Sequence, residues 1–216
     1  MPIFSKDEMN ILFIHIPKSA GSSIERIGSD FGWRESFSVR GESLQNLEHY
    51  KATLQHLHAE PLESLLNPDK FDAIFTIVRN PFSRLKSEYY WQRSQRITDL
   101  SVTEWINDTF ERYSKNHYLY DNHIRPQTEF LLDNERMKVF KLEDNGIDKA
   151  KKLFIDLSYI RGQSNFVKRK FFSRLLPERQ EKRSVKDRDI ETEFNKHYNE
   201  VVDFYKEDFS FFSYDI

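Results

Sequence analysis

The stretch Ile11-Leu12-Phe13-Ile14-His15-Ile16-Pro17-Lys18-Ser19-Ala20-Gly21-Ser22-Ser23-Ile24-Glu25 decides how this chain is read. Its first six residues form a nearly continuous apolar and β-branched run, the pattern of a strand buried on both faces. Pro17 stops that strand because it has no N–H to give to a ladder. Lys18–Ser23 is then a loop of small residues, and Ile24-Glu25-Arg26-Ile27 reads as the start of a helix. Strand, loop and helix in this order open an α/β fold. A helix N-terminus presents unpaired N–H groups and a partial positive charge, so the loop lies where an anion would bind. Gly21 lets the backbone come close to such a ligand. Ser19, Ser22 and Ser23 add hydroxyl donors, and Lys18 adds a full charge on a flexible stem. The lysine precedes the only glycine of the loop, so this is not the GxxxxGK[ST] loop of nucleoside triphosphatases. On the residues alone, an ordinary β–α turn stays open as the plainer reading.

Working outward, Phe71–Val78 is a second buried strand, ending at Arg79-Asn80-Pro81. Asn80 suits an N-cap and Pro81 the first helical position, which predicts a helix from Pro81 to about Ser94. In open α/β sheets ligands bind beyond the carboxyl ends of the strands, so Arg79 is expected to face the same crevice as Lys18. Ser87 lies near the face of Ser83 on the following helix and can flank the same anion. The plainer alternative makes Arg79 half of a surface ion pair and Ser87 helix filler. Ser101-Val102-Thr103-Glu104 is a capping box and predicts a helix over 102–112. A third strand is expected at Met137–Leu142 and a helix at Gly146–Leu157. A helical stripe of Phe194, Tyr198, Val201, Val202 and Tyr205 runs through 189–209. Ala52–Leu57 reads as a short strand and Pro61–Leu66 as a short helix, while 28–50 has no clear pattern.

The 216 residues suggest one domain spanning 1–216. Hydrophobic residues make up 38%, enough to place the chain among globular proteins. The net charge of −2 argues against a protein built to coat nucleic acid, though it leaves room for a local basic site. With no cysteine, disulfides, thiol catalysis and cysteine-ligated metal are excluded. No stretch approaches the roughly 18 apolar residues of a membrane span. The first ten residues lack the apolar core of a secretory signal. A soluble, cytoplasmic protein is the expectation, or a soluble domain of a longer one.

Two of these segments together resemble a known family. His15–Ser23 resembles the 5′-phosphosulfate-binding loop of the carbohydrate sulfotransferase-like family (the sulfotransferase family 2 type). Val78–Tyr90 resembles its 3′-phosphate-binding segment, with the same Arg-to-Ser spacing of eight, Arg79 to Ser87. Pro81, two residues after the arginine, and the pair Tyr89-Tyr90 after the serine also match. His123–Leu131, centred on Pro126-Gln127, and the acidic-aromatic ending Tyr205–Tyr214 are weaker matches. The resemblance implies an α/β, P-loop-like three-layer fold with a central, mostly parallel sheet flanked by helices. It implies a sulfotransferase that uses 3′-phosphoadenosine-5′-phosphosulfate (PAPS) as co-substrate, releases 3′,5′-adenosine bisphosphate and needs no metal. Pro17, Lys18, Ser19, Ala20, Gly21, Ser22 and Ser23 would hold the 5′-phosphosulfate, and Arg79 and Ser87 the 3′-phosphate. Lys18 would neutralise charge on the bridging oxygen as the nucleotide leaves.

The acceptor hydroxyl needs a general base, and histidine is the common choice near neutral pH. In the family the base often lies between the two donor motifs and is followed six positions on by an apolar residue. His56, with Leu62 after it, fits that spacing. His58 is two residues away, and a strand would place both on one face. His56 is preferred, with His58 the other candidate catalytic histidine and Glu60 an alternative base. His15 is expected to be structural or a wall of the cofactor site. Residues 168–188 are rich in Lys and Arg and read as a segment over the nucleotide, a groove for an anionic glycan, or a solvated surface. Trp33, Trp91 and Trp105 can stack on sugars or pack in the core. The expected partner is a glycan or glycoconjugate hydroxyl, with no nucleic acid. A nucleotide kinase-like phosphoryl transferase and a non-catalytic nucleotide or glycan binder are the competing readings.

Overall fold

The computed structural model describes residues 2–39, 49–160 and 185–216. Its centre is β2 (Met9–Ile14), where the alternation of side chains supplies two cores at once. Met9, Ile11 and Phe13 point to one face, Leu12 and Ile14 to the other. β4 (Ala73–Val78) lies parallel beside β2, pairing Leu12 with Ile74 and Ile14 with Thr76. β5 (Met137–Lys141) continues the sheet in parallel. On the other side β1 (Ile3–Lys6) forms an antiparallel hairpin with β2 and pairs antiparallel with β3 (Arg34–Ser36). The order is β3-β1-β2-β4-β5, a mixed α/β arrangement in which only β1 opposes the common strand direction.

Helices cover the sheet on both sides. α1 (Gly21–Asp30) and α6 (Gly146–Ile160) bring Ile24, Ala150, Leu153 and Phe154 against Phe4, Phe13, Phe75 and Ile77. On the opposite face, Leu62 of α2 (Ala59–Leu65), Phe130, Leu132 and Phe212 pack over Leu12, Ile14 and Ile74. A third cluster lies among α3 (Pro81–Ser94), α4 (Val102–Lys115), α7 (Val185–Lys196) and α8 (Tyr198–Phe204), around Tyr89, Trp105, Phe194 and Tyr205. α9 (Lys206–Phe211) completes the C-terminal helices. Trp33 and Trp105 are core residues. No helix among the described residues is long and apolar enough to cross a membrane.

The first two strands, the helix after Arg79 and the capping box at Ser101 lie where the sequence placed them, to within two residues at most ends; α4 runs three residues further. Two expectations are corrected. Ala52–Leu57 is not a strand: a single 3₁₀ turn, Leu54–His56, closes with the His56 N–H on the Thr53 carbonyl. The stretch pairs with no described strand, and Asp121 holds Thr53 by both its N–H and its hydroxyl. The C-terminal stripe is three helices, broken at His197 and Tyr205, not one. β1 and β3 were not foreseen. The β1–β2 turn uses Asp7 and Glu8 at φ 47° and 67°, without the glycine or asparagine that advertises such a turn. Most of the basic stretch 168–188 lies outside the described residues.

Candidate active site

β2 and β4 are neighbours and parallel, so both carboxyl ends open on the same side of the sheet. A cavity of about 930 Å³ lies there. Pro17, Lys18, Ala20, Gly21, Ser22 and Ser23 line it from the loop after β2, Arg79 and Ser87 from the segment after β4. The loop turns through two left-handed residues, Lys18 at φ 65° and Ala20 at φ 69°. Each costs about 1–2 kcal/mol for a residue with a Cβ, so the surroundings must impose them. The first helical bonds of α1 run from the Ser23 and Ile24 N–H groups to the Ala20 carbonyl. That leaves the Gly21 and Ser22 N–H groups at the open end of the helix, beside the cavity.

Gly21 has a second reason beyond the one the sequence suggests. A Cβ there would sit 1.8 Å from His15 Nε2, so the glycine makes room for an imidazole. Ser19 is placed apart from the rest of the loop. It is buried and off the cavity wall, and its hydroxyl donates to Gln127 Oε1 at 3.5 Å. Gln127 is itself fully buried and ties the loop after β2 to the segment after β4. Its Oε1 accepts the Arg79 N–H at 2.9 Å, and its Nε2 donates to the Arg79 carbonyl at 2.8 Å. Behind it, the Asp208 carboxylate accepts the N–H groups of Gln127 and Thr128 at 2.8 and 2.9 Å. The Arg79 guanidinium donates directly to the Lys18 carbonyl at 3.3 Å. Lys18 Nζ rests 4.9 Å from the centre of the Trp91 ring. Burial draws the Lys18 ammonium below its ordinary range, against the opposing pull of the Glu88 carboxylate.

The two candidate histidines separate. His56 is buried on the cavity wall, whereas His58 and Glu60 line a different hollow with Arg125 and Glu129. The 3₁₀ turn is the reason, since residues two apart share a face only in a strand. His56 Nδ1 lies 2.7 Å from Asp121 Oδ2. Its Nε2 lies 3.3 Å from the Gln55 amide nitrogen, which can only donate. The network therefore assigns the proton to Nδ1 and the lone pair to Nε2. Burial lowers the imidazole pKa to about 4, with the Asp121 bond pulling upward, so the ring is neutral near pH 7.

His56 stands in a row of three imidazoles. His15 meets it edge-on at 4.8 Å between ring centres, and His123 at 5.0 Å. His123 Nδ1 is 2.6 Å from Glu88 Oε2, and His15 Nδ1 is 3.5 Å from Glu25 Oε1. Donor atoms of His56, Asp121 and His123 lie within 4.8 Å of one another, close enough to be compared with a cation site. Both imidazoles already commit Nδ1 to a carboxylate, so the geometry given is that of paired histidine–carboxylate dyads. Asp121, His123, Glu88 and Gln127 were missed as site residues. The segment holding His123 and Gln127 stands out in the sequence only through the family resemblance, and nothing near Asp121 marks it.

The description "Sulfotransferase family" belongs to the family model that matches this chain, over residues 1–215. No curated protein and no solved structure matches it.

Proposed function

The chain belongs to the sulfotransferase family, and from that premise we propose that it transfers a sulfuryl group from PAPS to a hydroxyl of a glycan or glycoconjugate. The observation that carries this reading is one cavity holding Lys18, the open end of α1, Arg79, Ser87 and His56 together. Sulfuryl transfer is an in-line displacement in which most of the help comes from positioning and charge. The Gly21 and Ser22 N–H groups with the Ser22 and Ser23 hydroxyls receive the 5′-phosphosulfate, as helix N-termini receive anions. This strand, loop and helix supports a P-loop-like reading of the fold. Lys18 stabilises the charge that grows on the bridging oxygen as the S–O bond breaks. Arg79 and Ser87 take the 3′-phosphate, the group that separates this donor from ATP. His56 Nε2 accepts the acceptor hydroxyl proton as its oxygen bonds to sulfur. A neutral imidazole is ready for that step without first losing a proton.

Calorimetry with 3′,5′-adenosine bisphosphate and with ATP, followed by transfer of labelled sulfate from PAPS to a panel of glycans, tests the proposal. Tight binding of the bisphosphate, weak binding of ATP and labelled product support it. Preference for ATP points to phosphoryl transfer, and bisphosphate binding with no transfer to any acceptor points to a binding protein.

A further inference from the structure

The four-residue turn α5 (Leu119–Asn122) contains the longest run of left-handed residues among the described residues. Tyr120, Asp121 and Asn122 stand in succession at φ 50°, 57° and 63°. Three consecutive left-handed residues, none of them glycine, cost about 1–2 kcal/mol each. Such strain persists only where the surroundings over-determine it, and it collects at functional sites. Here the surroundings are His56 and its neighbours. Asp121 Oδ2 holds the imidazole at 2.7 Å and the Thr53 hydroxyl at 2.8 Å, while Oδ1 accepts the Thr53 N–H at 2.5 Å. The next residue grips the same histidine from its backbone: Asn122 Nδ2 donates to the His56 carbonyl at 2.8 Å. Asn122 is in turn fixed by Arg125 Nε at 3.0 Å. Tyr120 and Asp121 both reach the cavity. One strained turn therefore holds the ring and the main chain of one buried side chain that faces the proposed reaction.

We propose that Asp121 is the positioning residue of the general base: it holds His56 with Nδ1 protonated and Nε2 aimed into the cavity, and it stabilises the imidazolium formed when Nε2 takes the acceptor proton. This rests on the reading of His56 as base. The step balances: the hydroxyl proton moves to Nε2, the acceptor oxygen bonds to sulfur as the bond from sulfur to the bridging oxygen of PAPS breaks, 3′,5′-adenosine bisphosphate leaves with that electron pair, and the Asp121 carboxylate stays ionised and pairs with the new cation. Among the described residues, the other titratable rings against His56 are His15 and His123, each backed by its own carboxylate, Glu25 and Glu88. These remain when Asp121 alone is changed.

The experiment compares wild type, Asp121→Asn, Thr53→Val and His56→Asn in the full chain. Turnover is followed across pH with PAPS and the best acceptor, and bisphosphate affinity and melting temperature are measured beside it. The reading of His56 as base fails, independently of Asp121, if His56→Asn keeps wild-type turnover. If His56→Asn is inactive, Asp121→Asn is expected to lower kcat on the order of 100-fold, the lower end of what general acid–base catalysis contributes. Bisphosphate affinity should stay within about twofold, since the donor site is not touched. The acid limb of the pH profile should move to lower pH, because the carboxylate no longer favours the protonated ring. Thr53→Val loses one tie to Asp121 but leaves the dyad, so it should retain most of the turnover and an unmoved limb. The proposal is overturned if Asp121→Asn retains turnover, if its acid limb stays where the wild type has it, or if Thr53→Val reproduces the whole loss.

Discussion

At the scale of single residues, Lys18 and Arg79 make separable predictions because they face different ends of the proposed donor. Removing Lys18 leaves the leaving-group charge without a counterion. Lys18→Ala should therefore lower kcat by about 10²- to 10³-fold, the range seen when one transition-state donor is lost. Bisphosphate binding should weaken much less, since the helix end and Arg79 remain, and turnover near wild type would defeat the assignment. Arg79→Ala should weaken 3′,5′-adenosine bisphosphate more than adenosine 5′-phosphosulfate, which has no 3′-phosphate. Equal losses for the two ligands, measured by calorimetry, would contradict its role. That Lys18 and Arg79 would reach one crevice was legible because neighbouring parallel strands end on the same side of the sheet. The packing reason for Gly21 was not. A glycine beside a phosphate loop invites the idea of ligand approach, and only the packed ring of His15 shows what its missing Cβ avoids.

At the scale of elements, Gln127 joins pieces that are far apart in sequence. Through one amide it fixes the Arg79 backbone on the segment after β4 and the Ser19 hydroxyl in the loop after β2, with Asp208 of α9 behind it. Gln127→Ala strands the Arg79 N–H and carbonyl and thins the partners of the buried Asp208. An unsatisfied buried polar group costs about 1–3 kcal/mol, so chemical denaturation should show a loss of at least that size. Because the two segments proposed to hold the donor lose their common spacer, bisphosphate affinity should fall as well. A destabilised variant with unchanged affinity would reduce Gln127 to a packing role. The elements themselves were read with uneven success, for a physical reason. β2 and β4 are buried on both faces and therefore write long apolar runs, while Asn80-Pro81 and Ser101–Glu104 write their caps locally. β1 and β3 have only four and three residues, too few for a period to show. The Thr53–His58 stretch took its shape from Asp121, 68 residues from Thr53, so no local pattern could distinguish its 3₁₀ turn from a strand. The same long-range tie hid the dyad and led the sequence to pair His56 with His58.

For the molecule as a whole, the buried histidines tie stability to pH in a defined direction. Burial lowers the pKa of His15 well below the ordinary value and that of His56 to about 4, helped for His15 by the neighbouring imidazoles. In the unfolded chain both titrate near 6.5. Above pH 6.5 neither state binds these protons and the linkage is silent. Between about 6.5 and 4 the unfolded chain takes up protons that the folded chain refuses, so stability falls as pH is lowered through that window. Each such histidine adds a slope of about 1.4 kcal/mol per pH unit where the difference in protonation is complete. Asp121 acts lower still. Its pKa is held below the ordinary value: burial pushes it up, but His56 and Thr53 outweigh that, so its share of stability persists until pH falls below the usual carboxylate range. Denaturant titrations at pH 7.0, 5.5 and 4.5 should show stability dropping between each pair, with the m-value constant if the transition stays two-state. His56→Gln cannot take up the proton in either state, so its curve should be flatter than wild type over the same window while it starts lower at pH 7.0 from the lost Asp121 contact. Equal stability of the wild type at pH 7.0 and 4.5, or a His56→Gln slope as steep as wild type, would mean that the imidazole on the cavity wall charges freely in the folded protein. In that case it would also be protonated in mildly acid solution and unable to serve as the base there, so the stability curve and the acid limb of the turnover profile bear on the same group from independent measurements.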